Sequence, residues 1–323
     1  MPLPRFSLQV LEAFEHVARL GSMQAAAQEL GMSVSTVSHH VARLEAQLGA
    51  VLIDRSSRPF SLTREGREAL HHLSQGLQHL RRATSETAIG GFLGARSLRI
   101  GIVDDLESNV APDLAVVLAG RMPRARLSIT TIPSHEAPDL LRKGLLDLAV
   151  ASETADRAQG ILADPIVSDP FVLAAPSDVS GDPATLMASG DSLPFLRFNA
   201  EHLIGRQIEA HLARNRVSLP NRFAFDSVQS ILAVIANGDG WSMITPLGYV
   251  RARRYAGRVR LHPLPIPAFA RRVSLMSVEA FERPIARAIA GLLRDSVQRA
   301  AVVPVRAEYP WLSGAFSIHE PTG

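Results

Sequence analysis

A run of short polar side chains between residues 33 and 43 has the composition of a surface that meets nucleic acid. The stretch 22–44, SMQAAAQELGMSVSTVSHHVARL, predicts two short helices, with a serine able to cap each start and a glycine between them. Hydrophobic residues at helical spacing predict the buried side of the second helix: Val34, Val37, Val41 and Leu44. Hydroxyls, imidazoles and one guanidinium suit base edges and phosphates in a major groove. The candidate DNA contacts are Ser22, Ser33, Ser35, Thr36, Ser38, His39, His40 and Arg43.

The flanking segments supply the elements that would position this helix. Upstream, an apolar stripe from Phe6 to Ala18 predicts a first helix that ends at Gly21. Downstream, two strand-like segments at 51–54 and 59–62 surround a turn with an arginine at each end, which predicts a wing. We expect these arginines, Arg55 and Arg58, to meet the DNA backbone or a minor groove. From the helices alone, an ordinary helical hairpin with a polar outer face stays an open alternative.

Over roughly the first 66 residues the chain resembles the LysR-type transcriptional regulators, because its residues keep the family's order and spacing without a gap. The matching residues are Phe14, Ala18, Gly21, Ser22, Ala26, Ala27, Leu30, Ser33, Ser35, Val37, Ser38, Val41, Leu44, Glu45, Leu48, Gly49, Leu52, Arg55, Arg58, Leu62, Thr63 and Gly66. The chain departs from the family at Ile53, where Phe is usual, and at His39 and His40, where Arg or Gln is frequent.

The resemblance implies a winged helix-turn-helix that reads double-stranded promoter DNA, commonly at an interrupted inverted repeat. It implies a homodimer or homotetramer, a small-molecule effector that controls DNA binding, and RNA polymerase as a further partner. No enzymatic activity and no cofactor are implied. The expected function is therefore a sequence-specific transcription regulator of the LysR type.

The composition limits the classes of protein that the chain can represent. Its 323 residues suffice for two or three domains. It contains no cysteine, which excludes disulfides, cysteine zinc sites and thiol catalysis. The N-terminus lacks the apolar core of a signal peptide and no apolar run reaches membrane length, so we expect a cytoplasmic protein without a membrane partner. The net charge of +3 permits nucleic-acid binding, but acids balance the arginines in the first 63 residues.

A long helix is predicted from a cap at Thr63 to about Ile89, followed by a glycine-rich hinge at 90–95. Its leucines recur in alternating steps of three and four, the spacing of a coiled-coil seam. We expect this seam to form the dimer, because a lone helix of this length has no nearby core to cover it. The alternative is that the stripe packs on its own chain. The predicted dimerisation residues are Leu70, Leu73, Leu77 and Leu80.

From Leu98 onward, strand patterns alternate with helix patterns, which predicts an α/β domain with a parallel sheet. Predicted strands lie at 98–103, 125–130, 146–151, 171–174, 194–198, 222–225, 241–244 and 273–276, and predicted helices at 106–121, 135–144, 202–214, 227–237 and 283–300. The layout resembles the two-lobed, periplasmic-binding-protein-like regulatory domain of the LysR family. The predicted organisation is a DNA-binding domain at 1–62, a linker helix and hinge at 63–96, an effector-binding domain at 97–301 (lobe I 97–167 and 270–301, lobe II 168–269) and a C-terminal tail at 302–323.

Ligands of open α/β lobes bind at the carboxyl ends of the strands. The polar residues predicted at those ends are Asp104, Asp105, Ser134, Asn199, Asp226 and Ser227. Because Asp104, Asp105 and Glu107 together would repel an anion, the hypothesis is a ligand with a cationic or hydroxyl-rich group. The alternative is that these acids only stabilise the N-terminus of the helix predicted at 106–121.

Other patterns carry no chemistry. HExxH, P-loop, GxGxxG and GxSxG motifs are absent from the sequence, and adjacent histidines point to different faces of a helix, so we expect no metal site. The arginines between 251 and 260 are interpreted as a solvated face and an oligomer contact, and the alternative is a second nucleic-acid patch. The tail either covers a groove on its own chain or is loose. The competing functional interpretation is a small-ligand-binding protein or enzyme with an N-terminal helical dimerisation module.

Overall fold

The computed structural model describes residues 6–56, 60–86, 97–154, 158–179, 183–188 and 193–320. The chain divides into two compact units, Met1–Ala95 with Asp139–Leu146, and Arg96–Pro138 with Asp147–Gly323. Within the described ranges, none of the helices combines the length and the apolar character needed to cross a membrane.

The first unit is a small helical domain with a two-stranded hairpin and a long final helix. Its elements are α1 (Leu8–Leu20), α2 (Met23–Leu30), α3 (Val34–Leu48), β1 (Ile53–Asp54), β2 (Ser61–Leu62) and α4 (Arg64–Glu86). Gly21, Gly31 and Gly49 end the first three helices with φ of 62°, 66° and 67°, a left-handed backbone that glycine adopts without steric penalty. Buried side chains from all three helices and β1 form one core: Val10, Ala13, Phe14, Val17, Ala26, Val37, Val41, Leu44 and Ile53.

The remaining elements belong to an α/β fold, although one helix among them, Ala137–Arg142, lies largely in the segment Asp139–Leu146 that is grouped with the first unit. In chain order they are β3 (Ser97–Ile102), α5 (Asp104–Glu107), α6 (Ala111–Arg121), β4 (Arg126–Thr131), α7 (Ala137–Arg142), β5 (Leu148–Ser152), β6 (Ile161–Pro170), β7 (Val172–Pro176), α8 (Pro183–Ala188), β8 (Leu196–Phe198), α9 (Leu203–Arg214), β9 (Phe223–Phe225), α10 (Val228–Ala236), β10 (Ser242–Ile244), α11 (Pro246–Arg251), β11 (Val259–His262), β12 (Ala270–Val278), α12 (Arg283–Val297), α13 (Val303–Glu308) and β13 (Ser317–Ile318). Short 3₁₀ turns at Ser134–Glu136, Arg253–Arg258 and Pro310–Leu312 and a π-helical turn at Gln298–Val302 connect some of them.

One sheet has six strands in the order β13-β6-β12-β5-β3-β4. The strands β3, β4 and β5 are parallel to one another, as the alternating pattern predicts. However, β12 pairs antiparallel with both β5 and β6, and β13 pairs antiparallel with β6. The sheet is therefore mixed, because β12 and β13 run opposite to the other four strands.

A second sheet has the order β10-β7-β11, and the parallel pair β8 and β9 joins it through a bridge between Phe195 and Trp241. Only one residue separates β6 from β7, so the chain passes directly from the larger sheet to the smaller one. At this crossing the Phe171 and Phe269 rings stack at 4.1 Å, and His211 stacks on Phe269 at 3.8 Å. Burial lowers the pKa of His211, which favours the neutral ring in this stack.

Two predicted helices differ from the observed ones. The helix predicted at 106–121 is two helices, α5 and α6, because Pro112 occupies the first turn of a new helix, where its missing N–H is not needed. Val110, Leu114, Val117 and Leu118 recur at helical spacing and so predict one buried stripe, but Val117 is exposed. The helix predicted to end at residue 300 ends at Val297 and continues as the π-helical turn.

The C-terminal tail packs on its own chain as far as residue 320, which decides between the two alternatives that the sequence left open. Val305, Leu312 and Phe316 are buried, and β13 extends the larger sheet beside β6. The Arg306 guanidinium donates to the backbone carbonyl of Phe316 at 2.8 Å and to that of Ser313 at 2.6 Å, which closes the turn before β13.

Candidate DNA-binding and effector-binding sites

The turn between α2 and α3 is closed by two serine caps. Ser22 Oγ accepts a hydrogen bond from the backbone N–H of Ala25 (3.3 Å), and Ser33 Oγ accepts one from the N–H of Thr36 (3.1 Å). Each cap satisfies an N–H that has no partner within its helix. The predicted caps are thus confirmed, and both predicted contact residues already hold the helix-turn-helix together.

A cluster of three hydroxyls marks the start of α3. Ser33 Oγ lies 2.8 Å from Ser35 Oγ and 2.7 Å from Thr36 Oγ1, and all three residues are exposed. Val34, predicted on the buried side, is 47% exposed instead. It is the first residue of α3 and lies beyond the core, which this helix enters at Val37. The start of α3 therefore presents hydroxyls together with one branched apolar side chain.

The rest of the polar face of α3 is accessible to a partner. His39 and Arg43 are exposed, whereas Ser38 and His40 are partly buried. Within the described part of the chain, Arg43 forms no ion pair. The Nδ1 atom of His40 is buried and has no hydrogen-bond partner there, so any nitrogen of this ring that meets DNA is Nε2. In the described structure, this face thus offers an unpaired guanidinium beside two imidazoles.

Glu45 fastens the wing to α3. Its Oε1 accepts the backbone N–H groups of Leu52 (2.9 Å) and Ile53 (3.3 Å), and its Oε2 lies 3.2 Å from the Arg55 guanidinium. Arg55 remains 50% exposed in this pair. The predicted contact Arg58 lies outside the described residues. Sequence reasoning matched Glu45 to the family without assigning it this role, because the groups that it binds are contributed by residues beyond the helix.

We expect Glu45→Ala to lower the free energy of unfolding by about 1–3 kcal/mol, because two wing N–H groups lose their acceptor. Chemical denaturation of the full chain, followed by circular dichroism, measures this loss. Glu68→Ala is the matched control, since the described structure gives Glu68 an exposed pair with Arg64 at 3.2 Å, worth about 0.5 kcal/mol or less. Equal losses in the two variants would contradict a fastening role for Glu45.

The leucine stripe of α4 packs on the core of its own unit. Leu77 is buried in that core, and Leu70 and Leu73 pack against it. The reason given for a dimer seam, that no nearby core covers the helix, was therefore wrong. The side chain of Leu80 lies outside the described part of the structure. A Cβ at Gly66 would lie 2.0 Å from the carbonyl oxygen of Leu52, so only glycine allows the start of α4 to approach the hairpin this closely.

In the α/β unit, the predicted residue Asp105 belongs to a buried ion cluster. Arg271 on β12 lies directly opposite Asp169 on β6, and its guanidinium donates to the Asp169 carboxylate at 2.8 Å and 2.9 Å. The same guanidinium donates to Asp105 from α5 and, at 3.0 Å, to the Thr245 hydroxyl at the start of α11. The backbone N–H of Leu247 donates to Asp169 at 3.2 Å. Two strands of the larger sheet, β6 and β12, and the helices α5 and α11 therefore meet at one guanidinium.

Burial and charge act in opposite directions in this cluster. Complete burial raises the pKa of Asp169, and the Arg271 guanidinium limits that rise. For Arg271, burial alone would lower the pKa, but attraction to Asp105 and Asp169 raises it above its ordinary value. Arg271 therefore stays protonated and holds the two carboxylates together.

A second arginine pairs with the other acids of α5. The Arg251 guanidinium on α11 contacts Asp104 and lies 3.4 Å from Glu107. Its side chain is only 14% exposed, which corrects the interpretation of this arginine as part of a solvated face. Burial and the neighbouring charge of Asp105 raise the pKa of Asp104. Asp104, Asp105 and Glu107 also lie in the first turn of α5, as the capping alternative expects, although that helix has only four residues.

The other predicted effector residues lie at turns after strands. Ser134 Oγ accepts the backbone N–H of Ser152 at 3.2 Å, beside a Ser152 hydroxyl that is buried and without a partner in the described structure. Asn199 Oδ1 accepts the N–H of Glu201 at 3.2 Å. Asp226 is exposed and lies 3.2 Å from His202 Nε2, and Ser227 caps α10 through the N–H of Gln229. Ser134, Ser152 and the α5 acids share the carboxyl edge of the larger sheet, whereas Asn199, Asp226 and Ser227 follow β8 and β9.

Sequence reasoning missed Arg271, Asp169 and Thr245, the residues that neutralise and anchor Asp105. One signal was present: three acids near position 105 need a counter-charge, and Arg271 follows a stretch without other cations. Nothing in the sequence identifies which arginine supplies it. Among the described residues, no group of three His, Cys, Asp or Glu side chains is placed to hold a metal ion.

A helix-turn-helix with a wing, followed by an α/β unit with two sheets, defines a DNA-binding regulator that carries its own ligand-binding domain. Two protein families match the chain: "Bacterial regulatory helix-turn-helix protein, lysR family" over residues 8–67, and "LysR substrate binding domain" over residues 93–298. The chain belongs to the LysR family of transcription regulators. It is a DNA-binding transcription regulator with an effector-binding domain and not an enzyme, so the competing interpretation from the sequence was wrong.

One sequence relative supports this assignment, and two solved structures share the fold. The chain is 31% identical over 296 residues to the probable hydrogen peroxide-inducible genes activator of Mycobacterium avium, covering 89% of this chain and 93% of the relative. A full-length OxyR variant from Pseudomonas aeruginosa has a similar fold, with a TM-score of 0.71, 24% identity, and coverage of 92% of this chain and 98% of that one. Full-length LysG from Corynebacterium glutamicum with bound effector Arg gives a TM-score of 0.55 at 21% identity, with coverage of 92% and 98%.

Proposed function

We propose that the chain reads its operator with α3 in the major groove and its wing on the DNA backbone. The observation that carries this proposal is the exposed polar face of α3, on which Arg43 has no ion-pair partner in the described structure. The exposed Val34 adds an apolar group of the kind that contacts a thymine methyl. Ser22 and Ser33 support the reading helix as caps and offer their hydroxyls to phosphates.

We infer that the regulator acts as a homodimer or homotetramer in the cytoplasm, because an inverted repeat presents two half-sites to two reading heads. Membership of the family supports this assembly, and RNA polymerase is the proposed partner at the promoter. The α4 leucines supply no independent support, since three of them pack on their own unit.

We propose that the effector binds at the carboxyl ends of the strands, where α5 and α11 meet, and carries a cationic or hydroxyl-rich group. Among the described residues, four carboxylates pair there with two guanidiniums, those of Arg251 and Arg271; the carboxylates are those of Asp104, Asp105, Glu107 and Asp169. The surplus of negative charge favours a cation, and the Corynebacterium relative was solved with bound arginine. One relative is named for a response to hydrogen peroxide, but a cysteine-based response is not available to this chain, which has no cysteine.

A nuclease footprint on the DNA upstream of the coding region tests the proposal, at moderate salt and with competitor DNA. We expect one or two protected sites spaced by whole helical turns. Addition of arginine, but not of benzoate, should change the extent or pattern of protection, because only a ligand that prefers one state shifts the equilibrium. If the protein bound DNA without protecting any site, and if this binding vanished as salt rose, the interaction would be purely electrostatic. That result would contradict operator reading. A response to benzoate alone would contradict the cationic effector.

A further inference from the structure

A cavity of about 440 Å³ lies between β11 and the C-terminal tail. Arg260 and Leu261 line it from β11, and Glu308, Tyr309 and Trp311 line it from the tail. None of these residues belongs to the ion cluster around Arg271. The volume falls in the range of small-molecule pockets, about 300–1,000 Å³. The tail thus creates a second candidate site outside the proposed effector site.

Two aromatic rings form one side of this cavity. The rings of Tyr309 and Trp311 lie 6.4 Å apart at an angle of 74°. The Tyr309 hydroxyl accepts the backbone N–H of Leu261 at 3.4 Å and lies 3.3 Å from the Tyr249 hydroxyl, so its ring is fixed. Trp311 is 43% exposed, although a large aromatic side chain gains from burial. The face of a tryptophan or tyrosine ring attracts an ammonium group.

The cavity also carries two opposite charges that do not pair. Glu308 accepts a hydrogen bond from the Tyr249 hydroxyl at 2.7 Å, which fixes its carboxylate. Burial, together with Tyr309 and Glu308, raises the pKa of Tyr249, so the phenol keeps the proton that it donates. Among the residues that the structure describes, Glu308 has no cationic partner and Arg260 has no carboxylate partner. A carboxylate and a guanidinium in the same cavity are therefore available to bind charged groups of a ligand.

We propose that this cavity binds a small zwitterion, with its ammonium group against Trp311, Tyr309 and Glu308 and its carboxylate against Arg260. A ligand with both charges satisfies the two unpaired groups at once, whereas a single ion leaves one of them unpaired. The site depends on the tail, which adds β13 to the larger sheet and contacts β11 of the smaller sheet through Tyr309. Occupancy of the cavity would therefore act on a segment that contacts both sheets.

Calorimetric titration of the full chain with glycine betaine, choline and acetate tests each charge separately. Glu308→Gln keeps an acceptor for Tyr249 but removes the negative charge, and Arg260→Gln removes the positive one. Arg258→Gln is the matched control, because Arg258 is exposed and does not line the cavity. Tryptophan fluorescence gives a second readout, since Trp241 is buried and Trp311 lines the cavity.

We expect glycine betaine to bind and to change the fluorescence of the chain. Its affinity should fall about tenfold in Glu308→Gln and in Arg260→Gln and remain unchanged in Arg258→Gln. In Trp311→Phe, the addition of glycine betaine should no longer change the fluorescence. The proposal is overturned if glycine betaine does not bind, if choline or acetate binds as tightly, or if neither charge variant weakens binding. Circular dichroism of each variant confirms that the fold is retained.

Discussion

Arg271→Ala is expected to lower the free energy of unfolding of the α/β unit by about 3–5 kcal/mol. The substitution leaves Asp105 and Asp169 buried with no cation between them, and it removes the donor to Thr245. Urea titration followed by tryptophan fluorescence reports on this unit selectively, because both tryptophans of the chain, Trp241 and Trp311, belong to it.

Arg272→Ala is the control for this prediction. Arg272 follows Arg271 on the same strand, is 50% exposed and lies 3.6 Å from Glu153, so its loss should cost less than about 1 kcal/mol. Similar losses in the two variants would contradict a central role for Arg271. A triple variant, Arg271→Met with Asp105→Asn and Asp169→Asn, should recover much of the stability, because it removes the uncompensated charges along with the guanidinium.

The deficit of Arg271→Ala should also depend on pH. Burial raises the pKa of Asp169, and loss of the guanidinium that limits this rise would raise it further. A carboxyl group whose pKa is higher in the folded state than in the unfolded state destabilises the fold above that pKa, and this cost disappears as the pH falls through it. The variant should therefore lose more stability relative to the wild type at about pH 8 than at about pH 5. If the stability difference between the variant and the wild type did not depend on pH, the lost packing of the Arg271 side chain alone would explain it.

Local signals explain why the helices of the DNA-binding unit could be predicted well from the sequence. Ser22, Ser33 and the glycines after each helix act on residues within four positions, and the structure confirms all of these caps. Val34 was the exception, because helical spacing gives the direction of a side chain but not the point where a helix leaves the core.

Long-range pairing explains why one strand and one buried ion pair of the α/β unit could not be predicted from the sequence. The strand β6 was missed because its sequence, ILADPIVSDP, contains two prolines and two aspartates, which are rare in strands. In the structure, Pro165 lies at a register shift opposite Ser274, and Pro170 is the last residue of the strand, so neither interrupts the regular ladder. The same strand carries Asp169, whose partner Arg271 lies 102 positions away.

The second large effect concerns DNA recognition by the face of α3. We expect Arg43→Ala and His40→Ala each to weaken operator binding by about 1–3 kcal/mol per reading head. A dimer with two reading heads would therefore lose about twice this binding free energy. His40→Ala should chiefly reduce discrimination between the operator and a scrambled site, because only a base-edge contact depends on the sequence. Binding isotherms on both DNAs at two salt concentrations measure affinity and discrimination together.

Arg58→Ala separates the two kinds of interaction on which this prediction depends. The wing is expected to meet the backbone, so this variant should weaken binding to operator and scrambled DNA alike. It should also reduce the salt dependence by about one unit for each phosphate that is no longer neutralised. His40→Ala should leave the salt dependence unchanged, since an imidazole at a base edge displaces no counterion from a phosphate. If both variants weakened specific and non-specific binding equally, α3 would bind DNA without reading it, and the sequence preference would have to arise from DNA shape.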